Sequence, residues 1–396
     1  MPPTAPRGTL VEVFLVALRL GLTSFGGPIA HIGYFRREYV ERRRWVTEET
    51  YADLLALCQF LPGPASSQMG IAIGTLRAGY PGGVLAWLGF TLPSAVALLV
   101  FASIVSSVDL AGVGWLHGLK IAAVAVVAQA VWAMSRTLTP DRERITTAIV
   151  AAAIVLVVAN PAVQVLVIIA GAGVGWWLYL DTAAPSATAH ARGSRTVAIV
   201  CLVLFAALLV VLPLIAVATG TQSVAIVDVF YRVGSLVFGG GHVVLPLLEA
   251  EVVPPRWIGP EEFTAGYGAA QAVPGPLFTF AAYLGAAFDV EPNGVAGATL
   301  ATGAVFLPSF LLVWGTLPFW NRLRGVGAFQ AALKGIGAAV VGILGAALYD
   351  PVSVSAIFGP RDLALAAVLF GLLTAWRIPA WAVVILAAIG GEVIAL

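Results

Sequence analysis

The chain has 396 residues, of which 60% are hydrophobic and only 10% are charged. Soluble globular proteins are roughly 25% charged, so this composition excludes most soluble folds and indicates a polytopic membrane protein. The 21 basic and 20 acidic residues leave a net charge of +1. This balance does not indicate a basic surface that would bind nucleic acid. Cys58 and Cys201 lie in apolar runs and support neither a disulfide framework nor a cysteine metal site, so we expect no metal and no cofactor.

Nine apolar stretches are long enough to cross about 30 Å of hydrocarbon. They lie at residues 83–107, 113–134, 145–160, 162–180, 196–218, 294–317, 326–349, 362–376 and 378–396. The N-terminal segment runs into apolar sequence without a small-residue cleavage pattern, so we expect a retained first helix rather than a cleaved signal.

Four further apolar segments are interrupted near their middle by Gly and Pro. They lie at residues 10–35, 51–78, 222–248 and 261–288. If these segments turn back, the cytoplasmic side receives the N-terminus and 15 of the 21 basic residues, as the positive-inside rule favours. If all of them cross, the chain has about 13 crossing segments instead.

The sequence contains an internal repeat at offsets of 212 to 215 residues. The matching positions are Arg19 and Arg232, Gly26-Gly27 and Gly239-Gly240, Gln59 and Gln271, Pro62-Gly63-Pro64 and Pro274-Gly275-Pro276, and Leu92-Pro93-Ser94 and Leu307-Pro308-Ser309. We divide the chain into a first repeat at 1–180, a linker and extra helix at 181–218, and a second repeat at 219–396. The extra helix has no counterpart, so an odd number of crossings separates the two copies and the second is predicted to be inverted.

The sequence therefore predicts an all-α polytopic membrane protein built from two homologous halves in inverted topology. It has nine crossings and four broken or re-entrant hairpins. Irregular backbone at membrane depth is tolerated only where protein or a water-filled cavity satisfies it, so the interruptions predict an internal cavity. A half-helix that starts after Pro64 or Pro276 presents free N–H groups and a positive dipole end, which favour an anion.

The candidate anion-binding residues surround the four interruptions. They are Arg19, Gly26, Gly27, His31, Gln59, Pro62, Gly63, Ser66, Ser67, Gln68, Arg232, Gly239, Gly240, His242, Gln271, Gly275 and Thr279. The first half has more polar side chains after its Pro-Gly-Pro break, so we place more of the ligand contact there. The alternative is structural: Ser and Thr cap helices, and each arginine snorkels or pairs with a helix carbonyl. Either His31 or His242 can carry a coupled proton, or can serve only as a hydrogen-bonding side chain.

At these residues the chain resembles the chromate ion transporter family in its long, two-domain form. The matching stretches are FGGPIAHIGYF and RRRWVTEETYADLLALCQFLPGPASSQ in the first half, and FGGGHVVLPLLEAEVV and RWIGPEEFTAGYGAAQAVPGP in the second. The resemblance implies a plasma-membrane protein that exports chromate, with sulfate as the natural look-alike, at the expense of the proton motive force. We expect a bacterial inner membrane, with the N-terminus in the cytoplasm.

We predict a secondary transporter, not an enzyme, whose two halves rock around a shared site by alternating access. Its expected partners are chromate or a sulfate-like oxyanion, the lipid bilayer, coupled protons and a second copy in a homodimer, without nucleic acid. One alternative is a carrier for sulfate, molybdate or another oxyanion. A second, from another class, is a membrane-embedded lipid pyrophosphate phosphatase, which would be expected to place carboxylates beside its Arg and Ser.

Overall fold

The computed structural model describes residues 8–105, 114–158, 160–180, 194–237, 244–320 and 327–395. These residues form helices and connecting turns, with no strand among them. The helices are α1 (Leu10–Thr23), α2 (Gly27–Phe35), α3 (Glu48–Phe60), α4 (Ala65–Val105), α5 (Gly114–Leu138), α6 (Arg142–Val157), α7 (Pro161–Tyr179), α8 (Arg195–Thr219), α9 (Gln222–Leu236), α10 (Val244–Val252), α11 (Pro260–Ala270), α12 (Phe280–Ala287), α13 (Gly294–Thr316), α14 (Gly327–Ala347), α15 (Pro360–Thr374) and α16 (Ala380–Ala395). Short π-helical turns follow α2 (Arg36–Arg42) and α14 (Leu348–Ser353), and a 3-10 turn (Leu277–Thr279) precedes α12.

Within these ranges, five helical stretches are long and apolar enough to cross a membrane. They are Ala65–Val105, Gly114–Leu138, Arg195–Thr219, Gly294–Phe319 and Gln330–Ser353. Three shorter helical stretches, Val163–Tyr179, Leu277–Ala287 and Ala380–Ile394, are also apolar, and α6 and α15 have 16 and 15 residues. The protein is thus all-helical with several membrane-spanning helices, and the count of nine crossings stays a prediction.

The predicted extra helix corresponds to α8, while the linker at 181–193 lies outside the described residues. α8 packs on α9 and α13, but most of its apolar surface is uncovered. Val203, Val210 and Val217 are 62%, 61% and 86% exposed. A row of exposed aliphatic side chains this long is the surface that lipid covers in a membrane protein.

α4 is divided by a kink. The backbone leaves the helical region at Ala78 and Gly79, and Gly79 has a φ of +77°, a conformation that glycine adopts without steric cost. The part before the kink (65–77) continues from the first Pro-Gly-Pro break, and the part after it (80–105) includes most of the predicted stretch 83–107.

Ion pairs hold the ends of the broken segments of the first half together. Glu12, in the first turn of α1, pairs with Arg43 at 3.4 Å and with Arg77 at 3.2 Å. Arg36 pairs with Glu48 at 2.7 Å, which joins the end of α2 to the start of α3. The start of α1, the end of α2, the start of α3 and the kink in α4 therefore lie on one face, so α1–α2 and α3–α4 each form a hairpin.

Hydrogen bonds to backbone carbonyls hold the corresponding helix ends of the second half together. The Tyr283 hydroxyl donates to the carbonyl of Glu262 at 3.0 Å, and the N–H of Asp289 donates to the carbonyl of Trp257 at 2.8 Å. The loop after α10, the start of α11 and the end of α12 consequently lie side by side.

Helices of the two halves also pack directly against each other. α5 packs along α16, and α14 packs along α7. A Cβ added to Gly118 would overlap the carbonyl oxygen of Ala387, and one added to Gly335 would overlap that of Gly171. Glycine therefore permits the direct backbone contact in both pairs, as at close helix crossings in membranes generally.

Candidate functional site

The Pro-Gly-Pro loop of each half bonds to the broken helix of the other half. The N–H of Gly63 donates to the carbonyl of Val237 at 2.7 Å, and the N–H of Gly275 donates to the carbonyl of Ser24 at 2.9 Å. Ser24 directly follows α1 and Val237 directly follows α9. Backbone groups freed by one interruption are therefore satisfied by another, as a broken helix in hydrocarbon requires. We call this region the loop crossing.

Glycine is needed at the centre of both loops. Gly63 has a φ of +115° and Gly275 a φ of +94°, which residues with a side chain rarely adopt. A Cβ on Gly63 would lie 2.8 Å from the Ser309 hydroxyl, and one on Gly275 would lie 2.8 Å from the Ser94 hydroxyl. Each loop therefore rests on a long helix of the opposite half, next to a buried serine.

Several buried polar atoms at the loop crossing have no hydrogen-bond partner within the described part of the chain. They are the hydroxyl oxygens of Ser24, Ser67 and Ser309 and the Oε1 atom of Gln68. The four side chains are at most 1% exposed. An unsatisfied buried polar group costs about 1–3 kcal/mol, so four of them at one crossing make it the candidate site for a polar ligand.

The start of α4 adds backbone donors to these side chains. The first helical bond runs from the N–H of Gln68 to the carbonyl of Pro64 at 2.9 Å, so the preceding N–H groups of the first turn have no carbonyl within the helix. Gln68 also donates from Nε2 to the carbonyl of Pro62 at 2.6 Å, which holds the loop in shape. Ser66, the next candidate in this turn, is 2% exposed. The helix start thus combines dipole, N–H groups and hydroxyls suited to an anion.

The second loop offers fewer free groups. Its 3-10 turn begins with Leu277 and Phe278, and the Thr279 hydroxyl donates to the carbonyl of Pro276 at 2.7 Å. Gln271 directly follows α11, and its side chain interacts with the Tyr267 hydroxyl. Free hydrogen-bonding side chains are therefore concentrated in the first loop.

His31 belongs to the loop crossing. It is 1% exposed, and its Nε2 atom donates to the carbonyl of Ser24 at 3.1 Å, the same oxygen that accepts from Gly275. Its ring stands edge-on to Phe90 at 5.3 Å between centroids. Because Nε2 donates, Nδ1 of the neutral ring is an acceptor, and it has no partner among the described residues.

The two candidate arginines do not belong to this cluster. The Arg19 side chain is exposed on α1, whereas the cluster is buried. Arg232 is paired with Asp228 at 2.8 Å and with Glu251, so two carboxylates already compensate its charge. The structure therefore does not support the expected anion site built on both arginines.

The remaining predicted residues lie in different places. Gln59 is exposed on α3 and does not join the buried cluster. Gly26 and Gly27, with φ values of +98° and +73°, form the turn into α2, close in sequence to Ser24. The equivalents in the second half, Gly239, Gly240 and His242, lie outside the described residues.

Two hydroxyls at the crossing are absent from the predicted site, those of Ser24 and Ser309. Ser309 belongs to the Leu307-Pro308-Ser309 motif, which appears in the sequence analysis only as a marker of the repeat. Its counterpart Ser94 donates to the carbonyl of Thr91 at 3.1 Å. A small polar residue repeated after a proline inside an apolar helix was the signal that pointed to this position.

The chromate transporter family model matches residues 11–176 and 224–392. The chain belongs to the chromate transporter family. Two similar proteins are the chromate transport proteins of Pseudomonas aeruginosa and Cupriavidus metallidurans. The first is 29% identical over 89% of this chain and 83% of its own length, and the second 28% identical over 86% and 82%. An uncharacterized transporter of Methanocaldococcus jannaschii is 24% identical over 84% of this chain and 82% of its own length.

No solved structure shows a significant match to the chain. The family match confirms the resemblance found in the sequence, and the relatives are named as transport proteins rather than enzymes. This chromate transporter family member is thus a multi-pass membrane transporter whose broken helices meet at the loop crossing.

Proposed function

We propose that this protein exports the chromate dianion from the cytoplasm and binds it at the loop crossing. The observation that carries this proposal is the set of buried, unpartnered hydroxyl and amide groups of Ser24, Ser67, Gln68 and Ser309. The three hydroxyls and the N–H groups at the start of α4 supply hydrogen-bond donors at the loop crossing, which suits a tetrahedral oxyanion, while the unpartnered Oε1 atom of Gln68 can only accept. The name chromate transport protein, carried by two relatives, supports chromate as the ligand.

A site whose described residues include no free arginine suits a transported dianion. Hydrogen bonds to a charged partner are worth about 1.5–3 kcal/mol each, so a few of them hold the ion without trapping it. A free arginine would add a strong, long-lived attraction, but Arg19 is exposed and Arg232 is already paired. Release on the far side of the membrane is easier from hydroxyl and N–H donors.

We propose that the two halves have inverted topology and move by alternating access. Support comes from the reciprocal contacts, since Gly63 bonds to Val237 as Gly275 bonds to Ser24, and α5 packs on α16 as α7 packs on α14. The hairpins α1–α2 and α3–α4 then enter the membrane and turn back. Because each loop rests on the opposite half, a rocking motion of one half opens one side of the crossing and closes the other.

The membrane potential supplies the driving force in this proposal. At about 100 mV, inside negative, each charge moved is worth about 2.3 kcal/mol, so export of a dianion gains about 4.6 kcal/mol. This corresponds to about three decades of concentration gradient. Collapse of the pH difference at a held potential should therefore leave the chromate gradient in place.

Chromate uptake into inside-out vesicles with a clamped potential tests the proposal. We expect uptake to follow the potential and to fall about tenfold in Ser67→Ala and Ser309→Ala, because each loses about 1.4 kcal/mol of ligand binding. Ser103→Ala, an exposed serine on the same helix α4, is the matched control and should transport normally. Normal uptake in both site variants contradicts the site, and sulfate uptake without chromate uptake contradicts the substrate.

A further inference from the structure

A second group of polar side chains lies in a cavity apart from the loop crossing. The cavity has a volume of about 200 Å³ and is lined by the ends of α6, α10 and α14 and by the start of α7. Its lining includes Glu249 on α10, Asp350 in the turn after α14, and Gln164 on α7. Most of the other lining residues are apolar.

The two carboxylates share this cavity without a basic neighbour. No Lys, Arg or His is found among the described residues that line it. Arg232 on α9 is held by Asp228 and Glu251, and Arg256 follows the lining residue Pro254 by two positions. Burial and the neighbouring Asp350 raise the pKa of Glu249 to about 8. Glu249 is half-buried and Asp350 is exposed, and a like charge beside a half-buried carboxylate favours the neutral form of that carboxylate.

Gln164 provides an independent observation. Its side chain is 7% exposed, and its Nε2 atom donates to the carbonyl of Pro246 at 3.5 Å. Its Oε1 atom is buried and has no partner in the described structure. An ionised carboxylate cannot donate to this oxygen, whereas a protonated carboxyl can.

We propose that Glu249, Asp350 and Gln164 form a proton-binding site in which Glu249 holds the proton beside the charge of Asp350. The proton comes from solvent through the open side of the cavity and returns to it, with no other bond made or broken. When it is bound, one negative charge is removed and the cavity gains the donor that Gln164 lacks. The site is distinct from His31 and from the hydroxyls of the loop crossing.

The position of α10 connects this site to the loop crossing. Glu251 on the same helix pairs with Arg232 on α9, and α9 ends at the residue before Val237, whose carbonyl accepts from Gly63. A change of charge at Glu249 therefore acts on a helix that is tied to the loop crossing. An effect of this proton on the rate of anion movement, without a change in the driving force, rests on the proposed function, whereas the proton site itself does not.

Infrared titration of the purified full-length protein in detergent tests the site through its carboxylic-acid band. In the wild type we expect a band that disappears as the pH rises through about 8. Glu249→Gln should lack it. Asp350→Asn should lower its midpoint by about one pH unit or more, because the repulsion that favours the proton is gone. Glu261→Gln, which removes an exposed carboxylate of α11, should leave it unchanged.

Three results would overturn the proposal: persistence of the band in Glu249→Gln, an unchanged midpoint in Asp350→Asn, or a midpoint lowered by Na⁺ or Mg²⁺, which indicates a metal-cation site instead. Because Asp350→Asn keeps Glu249, the test survives if Glu249→Gln fails to fold. Chromate flux measured on the same preparations separates the two proposals. A normal titration without chromate flux leaves the proton site standing and contradicts the proposed function.

Discussion

The two Pro-Gly-Pro loops share a central glycine with a positive φ angle and differ in chemistry. Gly63 and Gly275 both have positive φ angles and both bond to the opposite half. After the first loop, however, the chain places the buried Ser67 and Gln68 at a helix start, whereas the second loop continues with apolar residues and a Thr279 whose hydroxyl is used internally. The duplicated backbone builds the crossing, and one copy supplies most of the free polar groups.

The two repeated arginines differ in the same way. Arg19 and Arg232 hold equivalent places in the sequence, but within the described part of the chain only the second pairs with carboxylates, those of Asp228 and Glu251. The first is exposed on α1. Equivalence in a repeat therefore specifies where the backbone goes and leaves open what a side chain does.

The largest expected difference between the halves concerns the stability of the arginine variants. Arg232→Ala leaves two partly buried carboxylates uncompensated, which we expect to cost about 2–3 kcal/mol, below the 3–5 kcal/mol of a fully buried pair, because the arginine side chain is 28% exposed. Arg19→Ala should change stability by less than about 0.5 kcal/mol. Thermal unfolding of both variants in detergent checks this, and equal losses would contradict the comparison.

Variants of Gly63 and Gly275 test the loop backbone that the two halves have in common. Gly63→Ala and Gly275→Ala each force a side chain into a positive φ and against a serine hydroxyl, which we expect to cost about 1–3 kcal/mol in either half. Chromate flux should fall in both. Gly33→Ala in α2, where a Cβ meets no neighbouring atom, is the control and should be tolerated. A strong effect in only one loop would show that the crossing is not symmetrical.

Removal of single hydroxyls tests the chemical difference between the loops. We expect Ser67→Ala to raise the KM for chromate about tenfold, while Thr279→Ala changes it less than about threefold, because its hydroxyl already donates to Pro276. The KM of each variant in vesicles decides this. The reverse order would place the ligand at the second loop.

The last difference is a pH dependence of stability that Glu249 adds to the second half. The end of α2 carries Arg36 and Arg37, whereas the end of α10 carries Glu249, whose pKa is raised from 4.5 to about 8. A raised pKa means that the folded state holds the proton more tightly than the unfolded state. The resulting stabilisation is complete below about pH 4.5 and is lost as the pH rises through about 8. Thermal unfolding between about pH 6 and about pH 9 should show this fall in the wild type and less of it in Glu249→Gln.

Much of the fold was visible in the sequence because its signals are local. Apolar runs predicted the long helices, and the Pro-Gly-Pro motif predicted the break between α3 and α4, since a proline cannot continue the preceding helix. The kink at Gly79 falls where the sequence analysis ends the interrupted segment 51–78 and begins the crossing stretch 83–107, because the Gly and Pro residues between them mark a turn. Helix ends set by ion pairs, such as Glu12 with Arg77, depend on residues far apart along the chain.

The candidate site was predicted in part, for the same reason. Ser67, Gln68 and the two loop glycines stand in motifs that can be recognised along the chain. Ser309 lies 246 positions after Gly63 in the sequence, and only the folded chain brings it against that glycine. The sequence analysis assigned both arginines to the site because a buried charge is costly and therefore often functional. In the structure Arg19 is exposed, and Arg232 is neutralised by Glu251, 19 residues away.

The glycine contact between α5 and α16 has a consequence for biosynthesis. More than 240 residues separate the end of α5 from the start of α16, and a nascent chain emerges from its N-terminus. Throughout that interval the face of α5 around Gly118 has no permanent partner and must be covered by lipid, by the insertion machinery or by a temporary neighbour. The first half therefore cannot complete its own packing when it is made, and its assembly ends only when α16 arrives.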